Sequence, residues 1–233
     1  MADSGMNNET SPHHNNIRAV VFDMDGLMFN TEDVYSLAGE ELLGRRGKVF
    51  TKELKNAMMG LPPRPSFEAM IAYCNLSESW EELAAESNDI YLRLLPKHIR
   101  PMPGLFELLA ALERAGVPKA VATSSARQIT EVTLAQFDLA RKFAFVLTAE
   151  DIEHGKPHPE VYLKSADRLG IAPAQMAVLE DSNAGCRAAS AAGAFCIAVP
   201  GPHSRDHDFS MASAIVDGLN DARLWQLLGL RAG

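Results

Sequence analysis

The chain has 233 residues, 47% of them apolar and 22% charged, a balance ordinary for a soluble globular protein and too apolar for global disorder. The length suits one large domain or a core with a smaller insert. With 22 Lys+Arg against 30 Asp+Glu the net charge is −8, which argues against a general nucleic-acid or membrane-surface binder, because both work through clustered basic charge.

Residues 1–16 are polar and lack both a basic start and an apolar run. They read as a disordered tail rather than a signal peptide, with His13 and His14 solvated. No stretch is long and apolar enough to span a bilayer. Cys74, Cys186 and Cys196 are widely spaced, odd in number and without a Cys-x-x-Cys pair, so they read as buried structural thiols in a reduced, cytoplasmic setting.

The run Ile17 to Phe22 is nearly continuous in β-branched and aromatic residues and predicts a short strand buried on both faces. Asp23 and Asp25 follow it directly. In an extended segment residues i and i+2 point the same way, so both carboxylates can face one small volume, with Gly26 free to turn the chain behind them. Two like charges so close call for a bound cation or a shared proton. A plain Asp/Gly turn after a strand is the alternative.

Asn30-Thr31-Glu32-Asp33 offers an N-cap and early acidic residues for a helix carrying Val34, Leu37, Ala38, Leu42 and Leu43 on one face. From there to about His98 the patterns are helical: a segment capped by Thr51 through Met59, one opened by Pro65 or Ser66 through Tyr73, and a longer one from Ser77 to Leu95. Gly60-Leu61-Pro62-Pro63-Arg64-Pro65 predicts a rigid loop between them. An all-helical insert over 34–98 follows, with a core formed by 17–33 and 99–233.

After Pro101-Met102-Pro103-Gly104 the rhythm changes. A helical face of Leu105, Leu108, Leu109 and Leu112 precedes a strand over Lys119 to Ala122. A helix from Ala126 to Phe137 leads to a strand over Ala144 to Leu147, and a helix from Glu160 to Leu169 to a strand over Met176 to Leu179. A helix from Asn183 to Ala192 leads to a strand over Phe195 to Val199, with a weak strand near Ala214 to Val216 and a closing helix from Asp221 to Leu228. Such alternation predicts an α/β fold, a Rossmann-like parallel sheet covered by helices on both faces.

Three later strand ends carry candidate chemistry. Thr123-Ser124-Ser125 places hydroxyls and backbone N–H groups at a helix start, either an anion site or a plain N-cap. Lys156 sits between Gly155 and Pro157, its ammonium aimed by a stiff backbone. His154 and His158 beside it have no evident set of metal-ligand partners and read as loop or capping residues. Glu180 and Asp181 form an acidic pair after a buried strand; Asp181 can join Asp23 around a hard divalent cation, or it serves at the helix cap with Ser182 and Asn183.

Asp-x-Asp-Gly, strand-Thr-Ser, Gly-Lys-Pro and Glu-Asp-Ser-x-x-Gly in this order resemble the haloacid dehalogenase superfamily from Ile17 onward. More specifically it looks like the subfamily with a small helical cap after the first strand, which includes β-phosphoglucomutase and many sugar-phosphate and nucleotide phosphatases. The resemblance implies Asp23 as nucleophile and Asp25 as acid/base. It implies Thr123, the Ser124 N–H and Lys156 as phosphoryl-binding groups, with Mg²⁺ held by Asp23, the Asp25 carbonyl and Asp181, and Glu180 as a further ligand or support. Arg64 and Ser125 are candidate substrate contacts. Tyr35 stands where many β-phosphoglucomutases have His, Arg64 is one residue late for the mutase cap arginine, and Asn30 replaces a usual Asp. These departures favour a phosphatase acting on a small sugar phosphate or nucleoside monophosphate over a mutase, with a non-catalytic binding module as the third reading and a monomer as the expected state.

Overall fold

A computed structural model describes residues 16–58, 61 and 63–230. The expected tail, apart from Asn16, lies outside the described residues, as do Met59 at the end of the expected helical segment and Gly60 and Pro62 of the expected loop. The six strands are β1 Ala19–Phe22, β2 Lys119–Ala122, β3 Val146–Leu147, β4 Met176–Glu180, β5 Phe195–Ala198 and β6 Ala214–Ile215. They form one sheet in the order β3-β2-β1-β4-β5-β6, every pair parallel. β1 lies in the middle, where successive connections turn from one side of the sheet to the other, and ligands gather outside the carboxyl ends of strands at such a point.

The strands alternate their side chains between two apolar layers, as pleating requires. Val20, Phe22, Val121, Leu179 and Ile197 belong to one buried cluster, while Val21, Ala120, Ala122, Val178 and Cys196 belong to the other. The first cluster takes in α5 Leu105–Arg114, α6 Arg127–Gln136 and α9 Ala222–Leu227; the second takes in α7 Glu160–Leu169 and α8 Asn183–Ala191. All three cysteines are buried and unpaired, as expected of structural thiols.

Between β1 and α5 lie four helices, α1 Thr31–Gly44, α2 Lys52–Met58, α3 Pro63–Cys74 and α4 Trp80–His98. Their buried Leu42, Leu54, Met70 and Leu83 continue the first apolar cluster through Met24, Leu27 and Met28. Residues 33 and 34 both lie within α1, which runs unbroken past them. The two chain crossings into this region are stitched together: Met102 N–H donates to the Met28 carbonyl at 2.8 Å, and Arg100 N–H to Asn30 Oδ1 at 2.6 Å. Asn30 thus keeps a structural hydrogen bond without the charge of an aspartate.

Several boundaries differ from the sequence reading. α3 begins at Pro63, not Pro65 or Ser66, because first-turn N–H groups have no helical partner and prolines there lose nothing. α4 begins after Ser79, not at Ser77: the Ser79 hydroxyl accepts from Glu82 N–H at 3.2 Å while the Glu82 carboxylate accepts from Ser79 N–H at 2.9 Å, a reciprocal cap. β1 starts at Ala19, and β3 keeps only two of its four expected residues.

Candidate active site

β1 ends at Phe22, and Asp23 N–H still bonds to the Leu179 carbonyl of β4 at 3.0 Å, so the first aspartate is fixed by the sheet itself. Gly26 then turns at φ +76°, a conformation costly for other residues. Close approach requires the glycine as well: a Cβ there would lie 2.4 Å from Asp181 Oδ2. The turn after β1 and the turn after β4 are thereby pressed together.

Lys156 joins the strand ends. Its ammonium donates to Asp23 Oδ1 at 2.6 Å, to Glu180 Oε1 at 2.6 Å and to the Ala122 carbonyl at 3.0 Å. Burial opposes the charge on Lys156, but Asp23 and Glu180 outweigh it and hold the ammonium protonated well above the usual lysine range. Asp23 is itself pushed up by burial, with Lys156 pulling down against Glu180 and Asp25. Asp181 is pushed up by burial and by the charges of Asp23 and Glu180.

The second aspartate is held from the other side. Thr123 and Ser125 hydroxyls both donate to Asp25 Oδ2, at 2.9 and 2.7 Å, and Ser125 N–H donates to Thr123 Oγ1 at 3.0 Å. Asp25 Oδ1 is buried and has no hydrogen-bond partner among the described residues. Thr123 and Ser125 therefore touch the acid/base candidate, a contact the sequence reading did not foresee when it assigned Thr123 to phosphoryl oxygens and Ser125 to substrate. Ser124 is exposed between them.

Carboxylate oxygens of Asp23, Glu180 and Asp181 lie within 4.8 Å of one another, all three side chains buried. With Asp25 alongside, several carboxylates share one volume with one ammonium, and burial without further positive charge is unfavourable for Asp23 and Asp181. An all-oxygen, anionic donor set suits a hard divalent cation such as Mg²⁺. Glu180 is more fully engaged than the others. Its Oε1 accepts from Lys156 and, at 2.5 Å, from the Tyr162 hydroxyl, and its Oε2 accepts from Ser182 Oγ at 3.0 Å. Its chief visible work is to hold the lysine.

Arg64 stands on the exposed first turn of α3, 2.8 Å from Glu68. His154 and His158 gain a partner the sequence reading did not give them, since ligand atoms of both and of Glu160 lie within 4.8 Å. The Glu160 carboxylate is nonetheless occupied by the N–H groups of Glu153 and His154, each at 2.9 Å, and by Lys164 at 2.6 Å.

Sequence reasoning missed four contributors. Tyr162 was not singled out within the expected helix from Glu160 to Leu169. Gly185 was quoted only as part of a motif, yet a Cβ there would fall 1.8 Å from Glu180 Oε1. Ser204 accepts from Gly201 N–H at 3.0 Å and reaches Asp181 Oδ2 at 3.4 Å, and His203 beside it lies 2.8 Å from Asp33 Oδ1. The available signal was position: residues 200–204 follow β5 on the same sheet edge as the other site residues.

Comparison with known proteins agrees with this geometry. The family described as "Haloacid dehalogenase-like hydrolase" matches residues 20–199. A probable pseudouridine-5'-phosphatase of Drosophila melanogaster is 34% identical over 86% of this chain and 89% of its own, and a fructose-1-phosphate phosphatase of Escherichia coli is 32% identical over 75% and 92%. Among solved structures, a putative beta-phosphoglucomutase of Thermotoga maritima superposes with a TM-score of 0.76 at 27% identity, covering 91% of this chain and 97% of its own. Strand order, the acidic edge with its bridging lysine, and these relatives agree: the chain belongs to the haloacid dehalogenase-like hydrolases.

Proposed function

We propose that this enzyme is a phosphoric monoester hydrolase that releases inorganic phosphate from a small phosphorylated metabolite, a sugar phosphate or nucleoside monophosphate, through an aspartyl-phosphate on Asp23. The observation that carries the reading is the meeting of four distant segments at one point: Lys156 bridges Asp23 and Glu180, with Asp181 alongside, and Thr123 holds Asp25. Relatives named as phosphatases of pseudouridine phosphate, fructose 1-phosphate and phosphorylated carbohydrates support the substrate class.

The residues divide the work by their contacts. Asp23, fixed by β1 and flanked by Lys156, attacks phosphorus and breaks the ester bond. Asp25 donates a proton to the departing alcohol oxygen. Because Thr123 and Ser125 both donate to Oδ2, the transferable proton belongs on the unpartnered Oδ1. The same oxygen then takes a proton from the water that splits the acyl phosphate, returning Asp23 and releasing phosphate. Lys156, with the Thr123–Ser124 turn, balances negative charge on the transferring oxygens. Asp23, the Asp25 carbonyl and Asp181 would hold Mg²⁺, with Glu180 supporting through Lys156. When bound, the cation supplies the positive charge that lets carboxylate and phosphate approach each other. Helices α1–α4 act as the cap that shields the reaction from water.

Mutase chemistry is the weaker reading, since Tyr35 occupies the position of the mutase histidine and Arg64 is paired with Glu68 at the surface. Phosphate release from a panel of phosphomonoesters, with Mg²⁺ and with EDTA, tests the proposal. Release that needs the metal and vanishes in Asp23→Asn is the expected result; release unaffected by Asp23→Asn would overturn it, and conversion of β-glucose 1-phosphate to glucose 6-phosphate without free phosphate would favour the mutase.

A further inference from the structure

Apart from the acidic edge of the sheet, a second group of chemistry-bearing side chains meets on the loop that carries Lys156. His154 stands two residues before the lysine and His158 two after it, and Glu160 is the first residue of α7. One ligand atom from each lies within 4.8 Å of the others. The His158 N–H donates to the Gly155 carbonyl at 3.0 Å. This turn folds the loop back on itself, and the two imidazole rings stand 4.6 Å apart, centroid to centroid. Both rings are exposed, whereas Glu160 is half-buried.

The carboxylate of Glu160 is fixed but not exhausted. Its Oε1 accepts from Glu153 N–H at 2.9 Å and from Lys164 Nζ at 2.6 Å, and its Oε2 accepts from His154 N–H at 2.9 Å. A carboxylate offers about four lone-pair directions, so one remains on Oε2, which lies 3.1 Å from His154 Nδ1. Ligand atoms about 2.0–2.2 Å from a tetrahedral Zn²⁺ stand about 3.3 Å apart, close to the spacing this pair already has. The exposed His158 ring closes the rest of the gap by rotation about its side-chain bonds. Lys164 shares Oε1 and weakens the pull of the carboxylate on a cation, so the two imidazoles carry the binding.

We infer that His154, His158 and Glu160 form a second divalent-metal site, selective for an ion such as Zn²⁺ over Mg²⁺. Imidazole nitrogens suit Zn²⁺, whereas Mg²⁺ prefers oxygen ligands and gives up its water reluctantly. The nitrogen-rich loop and the all-oxygen set of Asp23, Glu180 and Asp181 therefore sort the two ions by ligand type. Two imidazoles and one carboxylate leave the fourth tetrahedral position to water. Cys74, Cys186 and Cys196 are all buried and do not compete for the ion. Once bound, it ties both flanks of Lys156 to the start of α7 and braces the loop that presents the lysine to Asp23 and Glu180.

Calorimetric titration of the full-length protein with Zn²⁺ in saturating Mg²⁺ tests the site, with His13→Ala and His14→Ala in every protein to remove the imidazoles of residues 13 and 14. Zn²⁺ affinity should fall tenfold or more in His154→Ala and in His158→Ala, and persist in Asp181→Asn. Co²⁺ should give the visible absorption of a tetrahedral, nitrogen-ligated ion in the parent and lose it in both histidine variants. Equal Tm values in EDTA verify that the variants fold, and added Zn²⁺ should raise Tm more in the parent than in either variant. Zn²⁺ affinity unchanged in folded His154→Ala and His158→Ala, or lost only in Asp181→Asn because the ion sits among the carboxylates, would overturn the inference. The test reads binding alone, so its outcome does not depend on phosphatase turnover.

Discussion

Asp25 shows how a single side chain can be given a direction. Two hydroxyls occupy Oδ2 and, among the described residues, none reaches Oδ1, so the proposed mechanism puts proton transfer on one oxygen of the carboxyl group. Thr123→Val with Ser125→Ala should remove that bias, lowering kcat more than it raises KM in steady-state assays. Tyr162 offers a complementary test. Its hydroxyl donates to a buried carboxylate, and Tyr162→Phe should cost about 1–3 kcal/mol in urea unfolding, with reduced activity because Glu180 then holds Lys156 less firmly. Gly26→Ala should cost about 1–2 kcal/mol from the backbone alone, and it displaces Asp181 in addition; weaker Mg²⁺ activation is the readout.

At the scale of elements, the reciprocal cap at α4 and the Glu160 carboxylate that ties the loop before α7 to its first turn carry separable predictions. Ser79→Ala should destabilise the protein by about 0.5–2 kcal/mol in thermal or urea melts without altering the reaction. Glu160 is held down to about 2, first by Lys164 and then by the N–H groups of Glu153 and His154. A carboxyl group held low when folded stabilises the fold above its unfolded pKa, and that stabilisation is lost as pH falls toward about 2. Wild-type protein should therefore exceed Glu160→Gln in stability at pH 7 and converge with it near pH 2, in urea midpoints taken across that range.

The same elements show what could be read beforehand. Strand and helix types follow from periodicity, and β2 and α7 match their expected limits. Ends were harder because first-turn N–H groups tolerate prolines, which moved the start of α3 to Pro63. Asp23, Asp25 and Asp181 were legible because each follows a buried strand on one sheet edge, and Lys156 because Gly155 and Pro157 stiffen the loop that carries it. Tyr162 and Ser204 were not, since spacing along a chain does not reveal which side chain meets a given carboxylate across the sheet.

For the whole molecule, one apolar cluster runs from the sheet into α1–α4, and Arg46 of the segment after α1 bridges Glu78 and Glu86 at 2.7 and 2.6 Å. The helical region and the sheet are thus joined by both apolar packing and the paired crossings at Asn30 and Arg100. Cation binding to the carboxylates should act on global stability by mass action, about 2.7 kcal/mol at a hundredfold excess over Kd. Added Mg²⁺ should accordingly raise Tm in wild-type protein and leave Asp181→Asn nearly unchanged. Among the described residues no helix is long and apolar enough to cross a membrane.

The central claim is that Asp23 carries the phosphoryl group between substrate and water. Rapid quenching of a single turnover with ³²P-labelled substrate, followed by borohydride reduction and peptide mapping, tests it most directly. The account predicts transient label on the protein and a homoserine at position 23. Phosphate release with no labelled protein at any time point, or label mapped to another residue, would contradict it.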